Sequence, residues 1–121
     1  MIFISTISKL YEQLKNNTIN NESLLLCLQS QNYRIVAMSL SRLIERNLSN
    51  NDVIDRLSEL GKLLTDNKFI GPWQLGHFAI ATLSLLEDKD SRDKFDKIYK
   101  ELNDNDKFLV NNFIKCEAYK L

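Results

Sequence analysis

Gly71-Pro72-Trp73-Gln74-Leu75-Gly76-His77-Phe78-Ala79-Ile80-Ala81-Thr82-Leu83-Ser84-Leu85-Leu86 contains the only tryptophan, histidine and proline of the chain and two of its three glycines. Read locally, Gly71 is an N-cap and Pro72 takes the first helical position, where its missing N–H leaves nothing unpaired. Ile70 and Leu75 then occupy the hydrophobic-staple positions. The helix expected from Pro72 to Leu86 is apolar on most of its circumference, and Ala79, Ala81 and Ser84 are small enough for a neighbour to approach closely. A helix without a polar face belongs at the centre of a fold.

The rest of the chain supplies helices to surround it. Apolar residues recur at intervals of three and four, and no segment alternates with period two for long enough to argue a strand. Six further helices are expected. The first spans Ile2 to Lys15 on Phe3, Ile7, Leu10 and Leu14, the second Glu22 to Ser30 on Leu24 to Leu28, and the third Tyr33 to Arg46 on Val36, Leu40, Leu43 and Ile44. The fourth spans Asp52 to Leu64 on Val53, Leu57, Leu60 and Leu64. After the central helix, a sixth runs from Arg92 to Leu102 on Phe95, Ile98, Tyr99 and Leu102, and a seventh from Asp106 to Tyr119 on Leu109, Phe113 and Cys116. Asparagine and aspartate punctuate these segments (Asn16-Asn17, Asn20-Asn21, Asn47, Asn50-Asn51, Asn67, Asn103 to Asp106). Their side chains bond nearby backbone groups and tolerate left-handed conformations, so they suit both helix ends. Short connections force successive helices into antiparallel packing.

At 121 residues the chain is a single domain, 1–121, able to bury a core without disulfides or a structural metal. Sixteen basic residues balance sixteen acidic ones, so no global field draws it to nucleic acid or to an anionic membrane. The N-terminal Met1-Ile2-Phe3-Ile4-Ser5 lacks the basic region of a secretory signal, and no apolar run approaches the roughly 20 residues of a membrane span. Cys27 and Cys116 read as buried thiols and not as a disulfide, which implies a cytoplasmic location.

One internal repetition is visible. An offset of 42 residues lays Val36 to Leu60 over Phe78 to Leu102, matching Ala37 with Ala79, Glu45 with Glu87, Ser49 with Ser91, Glu59 with Glu101 and Leu60 with Leu102. Each copy is an apolar helix, a polar turn and a more charged helix, and the period falls within the roughly 40 to 47 residues of HEAT and armadillo units. Over Tyr33 to Leu102 the chain resembles a miniature HEAT-like α-solenoid. The fold class is therefore all-α, with about seven helices in stacked antiparallel hairpins, either a HEAT-like mini-solenoid or an irregular bundle.

No motif in the chain is a reaction centre. His77 is the only side chain with a near-neutral reference pKa, and catalysis by it requires a carboxylate or a nucleophile such as Cys116 beside it. Without a flanking motif it reads as a helix-surface or boundary imidazole. One histidine and two separated cysteines exclude the standard structural zinc patterns. The acidic clusters Glu87-Asp88-Lys89-Asp90 with Asp93, and Asp104-Asn105-Asp106, do not continue into a calcium loop, and they sit where carboxylates cap helix N-termini. No cofactor or metal is expected. Basic residues are interleaved with acids instead of forming a stripe, and the glycines are too scattered for a phosphate loop, which disfavours a nucleic-acid partner.

What remains is surface. The fourth helix carries Asp55, Arg56, Glu59 and Lys62, and the sixth carries Asp93, Asp96 and Lys97. Such letters make ordinary intrahelical ion pairs, Asp93 with Lys97 for example, or, if the two helices line one common face, a recognition patch. The expected partner-binding residues are Asp55, Glu59, Asp93 and Asp96, with Lys97 as a counter-charge. Trp73 serves either as a core anchor or as a protein-binding hot spot. In size, helical architecture, charge and the Gly71-Pro72-Trp73-Gln74-Leu75 segment, the chain resembles the small all-α bacterial immunity proteins. That resemblance implies a one-to-one complex with a cognate toxin, neutralised by occlusion of its active site. The alternatives are a helical-repeat adaptor or regulatory subunit and, third, a small enzyme using His77.

Overall fold

The computed structural model describes residues 2–121, apart from the side chains of residues 2–7 and of Phe69. Seven helices run in chain order among the described residues: α1 (Ile2–Lys15), α2 (Asn21–Cys27), α3 (Tyr33–Arg46), α4 (Asn51–Leu60), α5 (Leu75–Leu85), α6 (Lys89–Glu101) and α7 (Asp104–Lys115). The fold is all-α, as the periodicity requires. Its only sheet among the described residues is a small antiparallel hairpin between α4 and α5, β1 (Lys68–Ile70) with β2 (Trp73–Gln74). No helix among the described residues is long and apolar enough to cross a membrane.

Asparagine starts most of these helices. The side chains of Asn20, Asn32, Asn50 and Asn103 accept backbone N–H groups from the first turns of α2, α3, α4 and α7, and Asp88 does the same for α6. Each occupies a donor that the helix itself leaves unpaired. Asn47 closes α3 in the left-handed conformation, φ 48°, where its short polar side chain costs less strain than most others.

The central helix is α5, which packs against α3, α4, α6 and α7. Every residue from Leu75 to Leu83 is buried, as its uniform apolarity predicts. Leu75, Phe78, Ile80 and Leu83 each contribute about 2 kcal/mol by leaving water. On α1, Leu14 is fully buried and Leu10 half-buried, while the expected stripe residues Phe3 and Ile7 lie outside the described side chains. On α7 the inward stripe is Val110 and Phe113; Cys116, expected on it, is the C-cap residue past the last turn and is exposed, while the following Ala118 and Tyr119 pack back against the core. Cys27 is buried, and burial raises its thiol pKa above the ordinary value.

Further close approaches join α1 to α3, α2 to α3 and α4 to α6. The odd-numbered helices thus lie side by side in one layer, with α4 and α6 adjacent in a second. α5 and α6 pack as the expected hairpin, whereas α4 leans on α5 and α6 and is not among the close neighbours of α3. Two arginines each tie a helix to the one two places before it in the chain. Arg42 of α3 donates through Nε to the Leu14 carbonyl (2.7 Å) and through Nη2 to that of Lys15, capping α1; Arg56 of α4 donates through Nε to the Leu28 carbonyl (3.0 Å) and through Nη2 to that of Ser30, capping α2. Each also pairs with the glutamate three residues on, Glu45 or Glu59.

The start of α5 differs from the local reading of Gly71-Pro72. Gly71 adopts φ +52°, and with Pro72 it forms the two-residue turn between Ile70 and Trp73, the φ signs being those of a type II′ hairpin turn. The helix begins four residues after Gly71, at Leu75, because its first donors have better partners in the preceding loop. Leu75 N–H donates to the Asn67 carbonyl and Gly76 N–H to that of Leu63, both at 2.9 Å. Gln74 is the N-cap residue, and its Oε1 accepts the Asn67 N–H.

Candidate functional site

The amphipathic pattern of α4 decides what it shows to solvent. Val53, Ile54, Leu57 and Leu60 point inward, which leaves Asp52, Asp55 and Glu59 exposed on the opposite side. Two grooves flank this outward ridge. One separates α4 from α2 and is lined by Glu22, Leu25, Leu26 and Gln29 from the α2 side and by Asn50, Asp52, Asp55, Arg56 and Glu59 from the α4 side. The other separates α4 from α6 and is lined by Asn51, Ile54 and Asp55 against Asp90, Asp93, Lys94 and Lys97. Asp55 stands on the ridge common to both.

The electrostatics of this face differ from those of the neutral chain. Six carboxylates line the two grooves against three basic side chains, Arg56, Lys94 and Lys97. Arg56 is largely withdrawn from solvent, 13% exposed, its guanidinium held by the Leu28 and Ser30 carbonyls and by Glu59. The α2/α4 groove is therefore acidic, and the α4/α6 groove mixed.

Of the expected partner-binding residues, the structure brings Asp55, Asp93 and Lys97 to one groove and places Glu59 on the adjoining one. Asp96 is exposed on α6 outside both linings. Asp93 pairs with Lys89 at 3.4 Å instead of Lys97, and because both groups are largely exposed the pair contributes little. Trp73 lies elsewhere. Its indole N–H donates to the Leu109 carbonyl at 3.1 Å, and its ring meets Phe113 edge-on with centroids 5.4 Å apart, tying the hairpin to α7. Glu22, Leu25, Leu26, Asp52 and Asp90 are members of the face that sequence reasoning did not single out. A signal for Leu26 was present: five consecutive apolar residues, Leu24 to Leu28, cannot all face inward from so short a helix as α2.

His77 is not the boundary residue expected from sequence, since it is 1% exposed at the first turn of α5. Its Nδ1 accepts the Gln74 backbone N–H at 2.9 Å, which puts the neutral ring's proton on Nε2, 2.9 Å from Asp106 Oδ1. The fold thus supplies the carboxylate that an imidazole base needs. Both nitrogens are nevertheless occupied, one as acceptor and one as donor, and Cys116 is exposed at the far end of α7. The arrangement anchors the start of α7 to the start of α5.

The other acidic cluster is similarly employed. Asp88 caps α6 through the Ser91 N–H (3.0 Å) and accepts the Ser91 hydroxyl (2.7 Å), and Ser49 lies 3.1 Å from Ser91 Oγ. Desolvation acts to raise the Asp88 pKa, but the Ser91 and Ser49 hydrogen bonds prevail and hold the carboxyl below its ordinary value. Among the described residues no three His, Cys, Asp or Glu side chains converge to hold a metal ion. No protein-family model, curated protein or solved structure matches the chain.

Proposed function

We propose that the chain is a non-catalytic, cytoplasmic protein-binding module acting as an immunity protein, which occludes the active site of a cognate bacterial toxin in a one-to-one complex. The observation that carries this reading is the concentration of carboxylates around two grooves on one face of a chain with no net charge. A toxin that acts on nucleic acid is basic around its active site, and a neutral inhibitor meets it by gathering its acids in one place. Matching potentials raise the association rate, while the few pairs that lose water on docking govern residence time.

A HEAT-like stacking of helices belongs to the same proposal. Ser49 and Ser91, equivalent under the 42-residue offset, touch each other. Stacked repeats place equivalent positions side by side and so generate an extended common face.

The test is co-expression with the product of the adjacent reading frame, scored as growth protection, together with charge reversal at Asp55, Glu59, Asp93 and Asp96. Circular dichroism checks folding, and binding is measured at two salt concentrations. The reading requires protection by the native chain and a reversed variant that binds at least tenfold more weakly with a flattened salt dependence. Unchanged affinity excludes this face. A stable complex with a host protein and no protection would instead indicate an adaptor or regulatory subunit.

A further inference from the structure

α2 cannot bury all the apolar surface it carries. Leu24, Cys27 and Leu28 enter the core, Leu25 is half-buried, and Leu26 is left 69% exposed, more than any other large apolar side chain among the described residues. Leu26 stands on the wall of the α2/α4 groove and also lines a pit of about 180 Å³ on its other side, beside Cys27 and Ile35. Exposing a leucine forgoes a transfer free energy that burial would supply. Here that cost is concentrated on a ridge between two depressions.

The chemistry around Leu26 selects what would cover it. Glu22, Asp52, Asp55 and Glu59 surround the groove, and its one basic lining residue, Arg56, is turned inward onto the Leu28 and Ser30 carbonyls and pairs with Glu59. A second copy of the chain docking through the same face would set carboxylates against carboxylates, and an anionic lipid surface would be repelled. A segment with positive charges on either side of an apolar side chain meets both features at once.

We propose that the α2/α4 groove seats a basic helical segment of the protein partner. One leucine-sized side chain of that segment packs on Leu25 and Leu26, and flanking lysines or arginines face Glu22, Asp52 and Asp55. The proposal rests on the protein-binding reading above and deepens it by naming the chemistry of the partner's contact. The apolar anchor supplies residence time and the carboxylate rim supplies steering, a division common to interfaces with a small central hot spot. Its centre lies on α2 instead of α6.

The probe is a short alanine–lysine helical peptide carrying one central leucine, titrated into the labelled protein and followed through backbone amide resonances. Expected shifts centre on Leu25, Leu26, Gln29 and Asp55. Leu26→Ser, which leaves the core untouched, weakens binding about tenfold, the scale of one buried leucine, with an unchanged thermal midpoint. Asp52→Asn with Asp55→Asn flattens the salt dependence. Shifts centred elsewhere, or equal binding of a peptide whose leucine is replaced by serine, overturn the proposal. The two readings fail separately. If charge reversal on α4 and α6 abolishes toxin binding while Leu26→Ser does not, the groove proposal falls and the immunity reading stands. If the peptide binds at Leu26 but the chain gives no protection, the immunity reading falls and the groove stands.

Discussion

His77 and Asp106 join the first turns of α5 and α7 through a hydrogen bond of 2.9 Å between Nε2 and Oδ1, with the imidazole 1% exposed and the carboxylate 15% exposed. The other ring nitrogen holds the Gln74 N–H, so the pair closes a capping interaction and a helix-to-helix contact with one side chain. His77→Ala removes both bonds and leaves a cavity, and the expected loss is about 2–3 kcal/mol in chemical denaturation. Asp106→Asn keeps an acceptor at the same position and should lose about 1 kcal/mol. In the folded protein, neither change should alter partner binding, measured by calorimetry; measurable turnover that vanishes with His77→Ala would make the enzyme reading the leading one.

Gly76 and Gly71 are expected to respond differently to alanine. A Cβ at Gly76 would stand 2.6 Å from the Leu63 carbonyl oxygen and 2.8 Å from its carbon, and that backbone is itself held by the Gly76 N–H. Gly76→Ala should therefore cost about 3 kcal/mol or more, read as a fall in denaturation midpoint. At Gly71 the only nearby atoms belong to the Trp73 ring, at 3.3 Å, and the cost comes from φ +52°. Gly71→Ala should cost about 1 kcal/mol.

Arg42 and Arg56 perform the same capping task at different depths. Arg42 is 5% exposed and Arg56 13% exposed. Removing Arg42 strands the buried Leu14 carbonyl at the end of α1 and leaves that of Lys15 without its partner, so Arg42→Ala should destabilise by about 3 kcal/mol. Arg56→Ala should cost about 1–2 kcal/mol, since its bonds to Leu28 and Ser30 are only partly buried. Side-by-side urea unfolding of the two variants measures the difference.

Asp88 sets a pH dependence whose sign follows from its lowered pKa. The folded carboxyl holds its proton less tightly than an unfolded aspartate does, so its stabilising effect is present above the ordinary carboxylate range and is lost as the pH falls through the folded value. A carboxyl titration by NMR should place the Asp88 midpoint below that of a model aspartate. Ser91→Ala should move the midpoint upward and weaken the acid dependence of stability. A midpoint that stays in place would assign the shift to something other than the Ser91 hydroxyl.

The all-α fold, the seven helices among the described residues and the burial of the central helix were legible in the sequence, because three-and-four periodicity and uniform apolarity are local properties that packing had only to satisfy. The asparagine caps were legible for the same reason, since a side chain that bonds its own backbone needs no distant partner. The start of α5 was not. Gly71-Pro72 is compatible with a helix entrance and with a tight hairpin turn, and the choice was made by distant groups: the Leu63 and Asn67 carbonyls that receive the first donors of α5, and the Leu109 carbonyl that receives the Trp73 indole. The surroundings of His77 were hidden likewise, because Asp106 lies 29 residues away along the chain. On the candidate face, the outward direction of Asp55, Glu59 and Asp93 followed from helical phase alone. Tertiary structure decided that α2 stands beside α4, that Arg56 turns inward and that Leu26 has no place in the core, because helix phase orients side chains about one axis and only packing sets the axes against each other.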